Sequence, residues 1–193
     1  MSATNALNDS FLRLSPVVLA ALLASCGVRM NEIDAGASRS RPFGSTVFNN
    51  AVYFSAFDAA SGFELWKSDG NEPGAVRVKD INPGANGSIP GGFTVFNNAL
   101  YFSAFDDASG FELWRSDGTE AGTARVKDIN PGPGGSSPFG FTILNNALYF
   151  SADDGTNGFE LWRSDGTEAG TVRLREKIRS IPAIEEQAKH PRR

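Results

Sequence analysis

The chain of 193 residues holds one cysteine, Cys26, and one histidine, His190. A lone cysteine excludes an intrachain disulfide. The scarcity of both residues removes the Ser-His-Asp and Cys-His devices of nucleophilic catalysis. Zinc sites draw on the same two side chains and are lost with them. There is no basic excess either: 18 Lys and Arg stand against 22 Asp and Glu, a formal net charge of −4. Affinity for nucleic acid comes largely from clustered Lys and Arg, so nucleic acid is excluded as a partner. The one basic stretch, 173–193, also carries Glu176, Glu185 and Glu186, and reads as a solvated tail.

No apolar run is long enough to cross a bilayer as a helix, which takes about 20 residues. The run from Val17 to Ala24, after Arg13, has instead the length of a secretory signal core and ends in small residues. Residues 1–25 therefore read as a signal peptide. Leu23-Ala24-Ser25-Cys26 resembles a bacterial lipobox, and the resemblance implies that Cys26 receives a lipid and becomes the first mature residue. The expected location is the cell envelope, at the outer membrane or cell surface, with the membrane as a partner through the anchor. A plain signal peptide with an incidental cysteine, and a cytosolic chain with an apolar N-terminal segment, are the alternatives.

What the chain does have is 21 Gly, 10 Pro and 15 Phe, the profile of short aromatic strands joined by many turns. The tryptophans Trp66, Trp114 and Trp162 are spaced at equal intervals of 48 residues, and the surrounding sequence recurs with them. The stretch GGFTVFNNALYFSAFDDASGFELWRSDGTEAGTARV at 91–126 returns at 139–174 as FGFTILNNALYFSADDGTNGFELWRSDGTEAGTVRL. Each unit reads as four strands, in the second unit Phe93 to Phe96, Ala99 to Ala104, Phe111 to Ser116 and Thr123 to Ile129. Asn97-Asn98 suits a hairpin turn with both residues at positive φ. The Pro- and Gly-rich run Asn130 to Gly135 cannot continue a strand ladder and resets the chain for the next unit. The division is then 26–42 as a partial repeat and candidate closure strand, 43–90, 91–138 and 139–178 as three repeats, and 179–193 as a tail. Val28 to Gly36 aligns without gaps with Val76 to Gly84, and Pro42 falls on Pro90.

The segment from Gly110 to Thr123, followed by Val126-Lys127-Asp128-Ile129-Asn130-Pro131-Gly132, is similar to the bacterial ELWxxDGT repeat, and the likeness covers 28–174. The resemblance implies exported proteins, often lipoproteins, with propeller-like sheets and no assigned biochemical activity. The expected fold is all-β, with three four-stranded units of 48 residues as β-propeller-like blades. Propellers close with at least about four blades. Three units leave pairing of two chains by blade or edge association, an open array, or a different threefold fold such as a β-trefoil or β-prism.

The acidic residues obey the repeat. Glu64, Glu112 and Glu160 occupy one position in each unit, whereas a catalytic carboxylate pair would break that symmetry, so structural use and no catalysis are expected. Asp69, Asp117 and Asp165, each followed by a glycine (Gly70, Gly118, Gly166), read as turn residues whose carboxylates cap backbone amides. Asp106, Asp107, Asp153, Asp154 and Asn157 cluster oxygen atoms in loops. Counted from Asp153, an EF-hand would need ligands where Gly155 and Ser164 stand, so ordinary Asx turns are the better account, with calcium as the alternative, and no other metal or cofactor is expected. The tryptophans read as core positions, with a ring of sugar-stacking platforms as the alternative. Binding would use what differs between units, at Ala59 to Ser61, Asp107 to Ser109 and Gly155 to Asn157, with the Pro- and Gly-rich connectors. The expected function is a binding module for a protein or glycan. The alternatives are a structural surface protein without a ligand and a truncated fragment of a larger repeat protein.

Overall fold

A computed structural model describes residues 39–71 and 74–174, together with Ile33. The signal segment, Cys26, most of 26–42 and the tail with His190 lie outside the described residues. Strands β1 (Phe43–Phe48), β2 (Ala51–Asp58), β3 (Gly62–Ser68) and β4 (Ala75–Lys79) form the first sheet. β5 (Gly91–Phe96), β6 (Ala99–Asp106), β7 (Gly110–Ser116) and β8 (Ala124–Lys127) form the second. β9 (Phe139–Leu144), β10 (Ala147–Asp153), β11 (Phe159–Ser164) and β12 (Val172–Arg173) form the third. Each is an antiparallel meander with its strands in chain order. The protein is all-β, three four-stranded sheets in blade-like repeat, with no helix among the described residues.

The tight hairpins follow from asparagine. Asn97 and Asn98 take φ of 45° and 54°, and the pairs Asn49-Asn50 and Asn145-Asn146 do the same. Two successive positive-φ residues give the turn whose twist matches paired strands, and asparagine tolerates that region better than most side chains. After each hairpin the first strand loses register with the second, between Gly91 and Thr94 in the second sheet, which bends the outer strand.

Burial on both faces joins the sheets. On β6, Leu100, Phe102 and Ala104 face the first sheet, packing with Trp114 against Phe48, Tyr53, Leu65 and Val78. The alternate residue Tyr101, with Phe96, Leu113 and Val126, packs against Leu148, Phe150, Ala152 and Trp162 of the third sheet. The second sheet is thus sandwiched, which is why residues of both parities in its strands are apolar. A trefoil would share strands in a closed barrel. These are separate blades packed face to face, called blades 1, 2 and 3 below, and no closed barrel forms among the described residues.

The strand limits differ from the sequence expectation in an instructive way. β6 runs on to Asp106, because Phe105 and Asp106 still pair with Phe111 and Gly110. β8 stops at Lys127 rather than Ile129, since the amides of Ile129 and Asn130 donate to the Glu112 carboxylate instead of to a ladder. The connectors also touch a strand: Ser88 and Ile89 both donate their amides to the Phe63 carbonyl, at 2.8 and 3.0 Å, and Gly87 makes a parallel bridge to Phe63.

Leu113 is fully buried between blades 2 and 3 while Val95 is 37% exposed. Leu113→Ala is expected to cost about 2–5 kcal/mol and Val95→Ala less than about 1 kcal/mol, read as the shift of a urea unfolding transition. Equal costs would contradict the sandwiched position of Leu113.

Candidate functional site

The Asp-Gly-Thr turns are closed hydrogen-bonded units. Asp117 Oδ1 accepts from the Thr119 amide at 2.9 Å and the Thr119 hydroxyl at 2.7 Å. The Thr119 hydroxyl in turn accepts from the Gly122 amide at 2.9 Å, and the Thr123 hydroxyl donates to the Thr119 carbonyl at 2.6 Å. Asp165, Thr167, Gly170 and Thr171 repeat these bonds in blade 3. In blade 1, Asp69 Oδ1 accepts from the Asn71 amide at 3.0 Å. Asp117 and Asp165 are held below the ordinary carboxylate range by the threonine hydroxyl and then its amide, and Asp69 by the Asn71 amide.

The turns of blades 2 and 3 are also seats for the preceding blade. Gly118 has φ +93°, and a β-carbon there would collide with the Tyr53 hydroxyl of blade 1; Gly166 and Tyr101 repeat the contact. Lys67 Nζ donates to the Gly118 carbonyl at 2.8 Å. Burial, and then the Asp117 carboxylate, raise the pKa of Tyr53. Between blades 1 and 2 at this end lies a cleft of about 500 Å³, lined among others by Asn49, Asn50, Tyr53, Lys67, Asp69 and Asp117.

Two of the repeated glutamates, Glu64 and Glu112, form a second inter-blade device. Glu112, fully buried, accepts from the Ile129 amide (3.1 Å), the Asn130 amide (3.0 Å) and the Ser136 hydroxyl (2.6 Å). Glu64 binds Ile81, Asn82 and Ser88 in the same manner at 3.0, 3.0 and 2.6 Å. The clasped connector then reaches the following blade, where the Phe105 amide donates to the Ser88 carbonyl at 2.8 Å and the Asp153 amide to the Ser136 carbonyl at 3.0 Å. Burial pushes both carboxyls above their ordinary range, against the pull of the serine and the two amides.

The acidic loops satisfy themselves. Asp106 Oδ1 accepts from the amides of Ala108 and Ser109, both at 3.0 Å, the Ser109 hydroxyl donates to its other oxygen, and Arg125 lies 3.7 Å away. Asp154 takes the same place in blade 3, accepting from Thr156 and Asn157 and pairing with Arg173 at 3.6 Å. Asp153 accepts from the Gly155 amide at 2.7 Å. The Asp107 amide donates to Asn82 of blade 1 at 3.1 Å. Among the described residues no group of three or more His, Cys, Asp or Glu converges as a metal site would.

The tryptophans do not form a ring of open platforms. Trp66, Trp114 and Trp162 are 9%, 8% and 6% exposed, and the Trp162 indole N–H donates to the Ala152 carbonyl at 3.1 Å. Buried indoles have no face left for stacking on a sugar, which corrects the platform alternative. Sequence reasoning missed Tyr53, Tyr101 and Lys67 as contacts between units. It also missed the clasp, whose signal was present: a serine follows each of Glu64 and Glu112 at the same offset, at Ser88 and Ser136.

No protein-family model and no curated protein matches the chain. Fold and site together define an all-β blade-repeat protein whose repeated polar residues hold the blades together.

Glu112→Ala would leave the buried Ile129 amide, the half-buried Asn130 amide and the buried Ser136 hydroxyl without their acceptor, at about 1–3 kcal/mol for each fully buried group. The expected loss is about 3 kcal/mol or more in urea unfolding. The pH dependence has a defined sign. A carboxyl whose folded pKa is raised contributes stability fully present below about pH 4.3, and lost as pH rises through the folded value. Glu112→Gln should therefore flatten the fall in stability above about pH 4.3 relative to the unsubstituted chain. The turn aspartates, with lowered pKa, act oppositely, and their contribution is lost as pH falls below about 3.9. A Glu112→Gln chain with an unchanged slope would contradict the clasp's electrostatics.

Proposed function

We propose that this chain is an exported, lipid-anchored binding module of the cell envelope, in which the blades are a non-catalytic scaffold and the turns between second and third strands meet a protein or glycan. The observation that carries this reading is a division of labour along the repeat. The acids and aromatics that recur every 48 residues are committed to bonds and packing that hold sheets together. The turns that differ between units, Ala59-Ala60, Asp107-Ala108 and Gly155-Thr156-Asn157, are exposed. Scaffolds with fixed strands and variable turns place recognition on the turns. Asp106, Asp153 and Asp154 shape those turns through their own backbone bonds. The exposed side chains Asp107, Thr156 and Asn157 are then the contact residues. Export and anchoring rest on residues 13–27, and the likeness to the ELWxxDGT repeat agrees with both.

Two experiments test this reading. On a glycan array, the detergent-solubilised chain should retain a ligand, and Ala108→Arg or Thr156→Arg, each at an exposed turn position, should weaken retention at least about tenfold while circular dichroism stays unchanged. Retention that survives both substitutions would move the site away from the turns. Turnover of glycosides or esters that persists through repurification would overturn the non-catalytic reading, and an array with no retained ligand would favour a structural surface protein. For the anchor, cells fed a labelled fatty acid should label this chain, and Cys26→Ser should abolish the label. An unlabelled natural chain would leave a plain signal peptide or an unexported chain.

A further inference from the structure

Blades 1 and 2 each turn one face onto the blade that follows. That face carries Phe48, Tyr53 and Leu65 in blade 1 and Phe96, Tyr101 and Leu113 in blade 2, all buried. The same positions in blade 3 are Leu144, Tyr149 and Leu161. Leu144 is 56% exposed and Leu161 51%, where Phe96 and Leu113 are 3% and 0%, and Phe159 beside them is 56% exposed. The opposite face shows the reverse pattern. Leu100, Phe102, Leu148 and Phe150 are buried against the blade before them, whereas their counterparts Val52 and Phe54 in blade 1 are only half-buried.

The connector ahead of blade 1 follows suit. Pro90 and Pro138 are buried and Pro42 is exposed; Ser88 and Ser136 are fully buried and Ser40 half-buried. Yet this connector already holds the inter-blade backbone form. The Ser40 carbonyl accepts from the Phe57 amide at 2.7 Å, as Ser88 and Ser136 do in the later blades, and Arg41 has φ 40° where Ile89 has 47° and Ser137 has 48°. Among the described residues one chain thus carries an uncovered face at blade 3 and its half-open mating face at blade 1. The chemistry that joins those two kinds of face occurs twice within the molecule.

We propose that the open face of blade 3 docks on blade 1 of a second copy of this chain, head to tail, repeating the contact that joins successive blades. In the docked pair Leu144, Phe159 and Leu161 cover Val52 and Phe54 of the second copy. Tyr149 seats over its Gly70 as Tyr53 seats over Gly118, and Arg163 takes the place of Lys67. Ser40 of the second copy offers its hydroxyl to Glu160, which receives no such bond among the described residues. One position departs from the pattern: Arg39 stands where Gly87 and Gly135 press against the backbones of Phe63 and Phe111. The second copy's connector therefore approaches Phe159 less closely than its counterparts do. Two copies joined at both ends close a ring of six blades, within the roughly 4–8 that propellers use. A head-to-tail contact that fails to close runs on as a filament.

The test is molar mass by light scattering on a sizing column, using the full chain with Cys26→Ser so that no lipid drives association. A mass of two chains is expected, or higher multiples if the ring stays open. Leu161→Asp alters the blade 3 face at a residue exposed in the single chain, and Val52→Asp alters the blade 1 face. Each variant alone should run at one-chain mass with β-sheet circular dichroism retained, and a one-to-one mixture should recover a two-chain species through its one unaltered pair of faces. A parent chain at one-chain mass would overturn the proposal, whether 175–193 or nothing covers the blade 3 face. So would a Leu161→Asp chain that keeps the parent mass, or a mixture that stays at one-chain mass.

Discussion

A β-sheet with two apolar faces cannot be left in water, and blade 2 is such a sheet: Leu100 and Phe102 on one face, Tyr101 and Leu113 on the other, none more than 2% exposed. Stability therefore lies between blades rather than within them, as in repeat proteins generally, where each unit buries its faces only against its neighbours. Burying one large apolar side chain contributes about 1.5–3 kcal/mol. The contact must also be held in register, and two polar devices do so. The glutamate clasp fixes the connector to its own blade and hands its carbonyl to the next. The Tyr-on-Gly seat fixes the opposite end of the sheet. The two outer faces are the exception, since nothing among the described residues repeats the contact there.

How far this was legible in the sequence depends on whether the cause was local. The Asn97-Asn98 hairpin was readable because two residues suffice to set its backbone. Apolar residues of both parities within one strand, as in Phe111, Leu113 and Trp114, announced a sheet covered on both sides. Asp117 was readable as a turn residue because its partner Thr119 is two positions away. The end of the fourth strand was misplaced because the amides of Ile129 and Asn130 go to Glu112, 17 and 18 residues earlier, and no local rule reveals that. Tyr53 and Gly118 meet only after two blades have packed. A repeat also multiplies what is constant, which made the scaffold plain and left any ligand-bearing residues, which vary, with the weakest signal.

The acidic residues illustrate why a count of carboxylates is a poor guide to chemistry. Glu64 and Glu112 combine burial and a raised pKa, a pairing often met at catalytic sites. Here each accepts three hydrogen bonds from its own connector, and its counterpart in the other blade does the same. A raised pKa in this setting reports the cost of burying a charge as a structural bolt. Asp106 and Asp154, beside Arg125 and Arg173, shape turns in the same self-contained way. What remains available to a partner is the exposed surface of the turns and the faces at the two outer blades.

Native-state hydrogen exchange of individual amides tests the clasp most directly, because it reports how much of the structure must open to release one bond. If the carboxylate clasp is what locks each blade to the next, the amides of Ile81, Asn82, Ile129 and Asn130 should exchange only through global unfolding, as slowly as those of Leu113 and Phe102. Exchange at those four amides as fast as at the surface turn amides of Thr119 and Thr156 would contradict it, since the connectors could then open while the blades stayed joined.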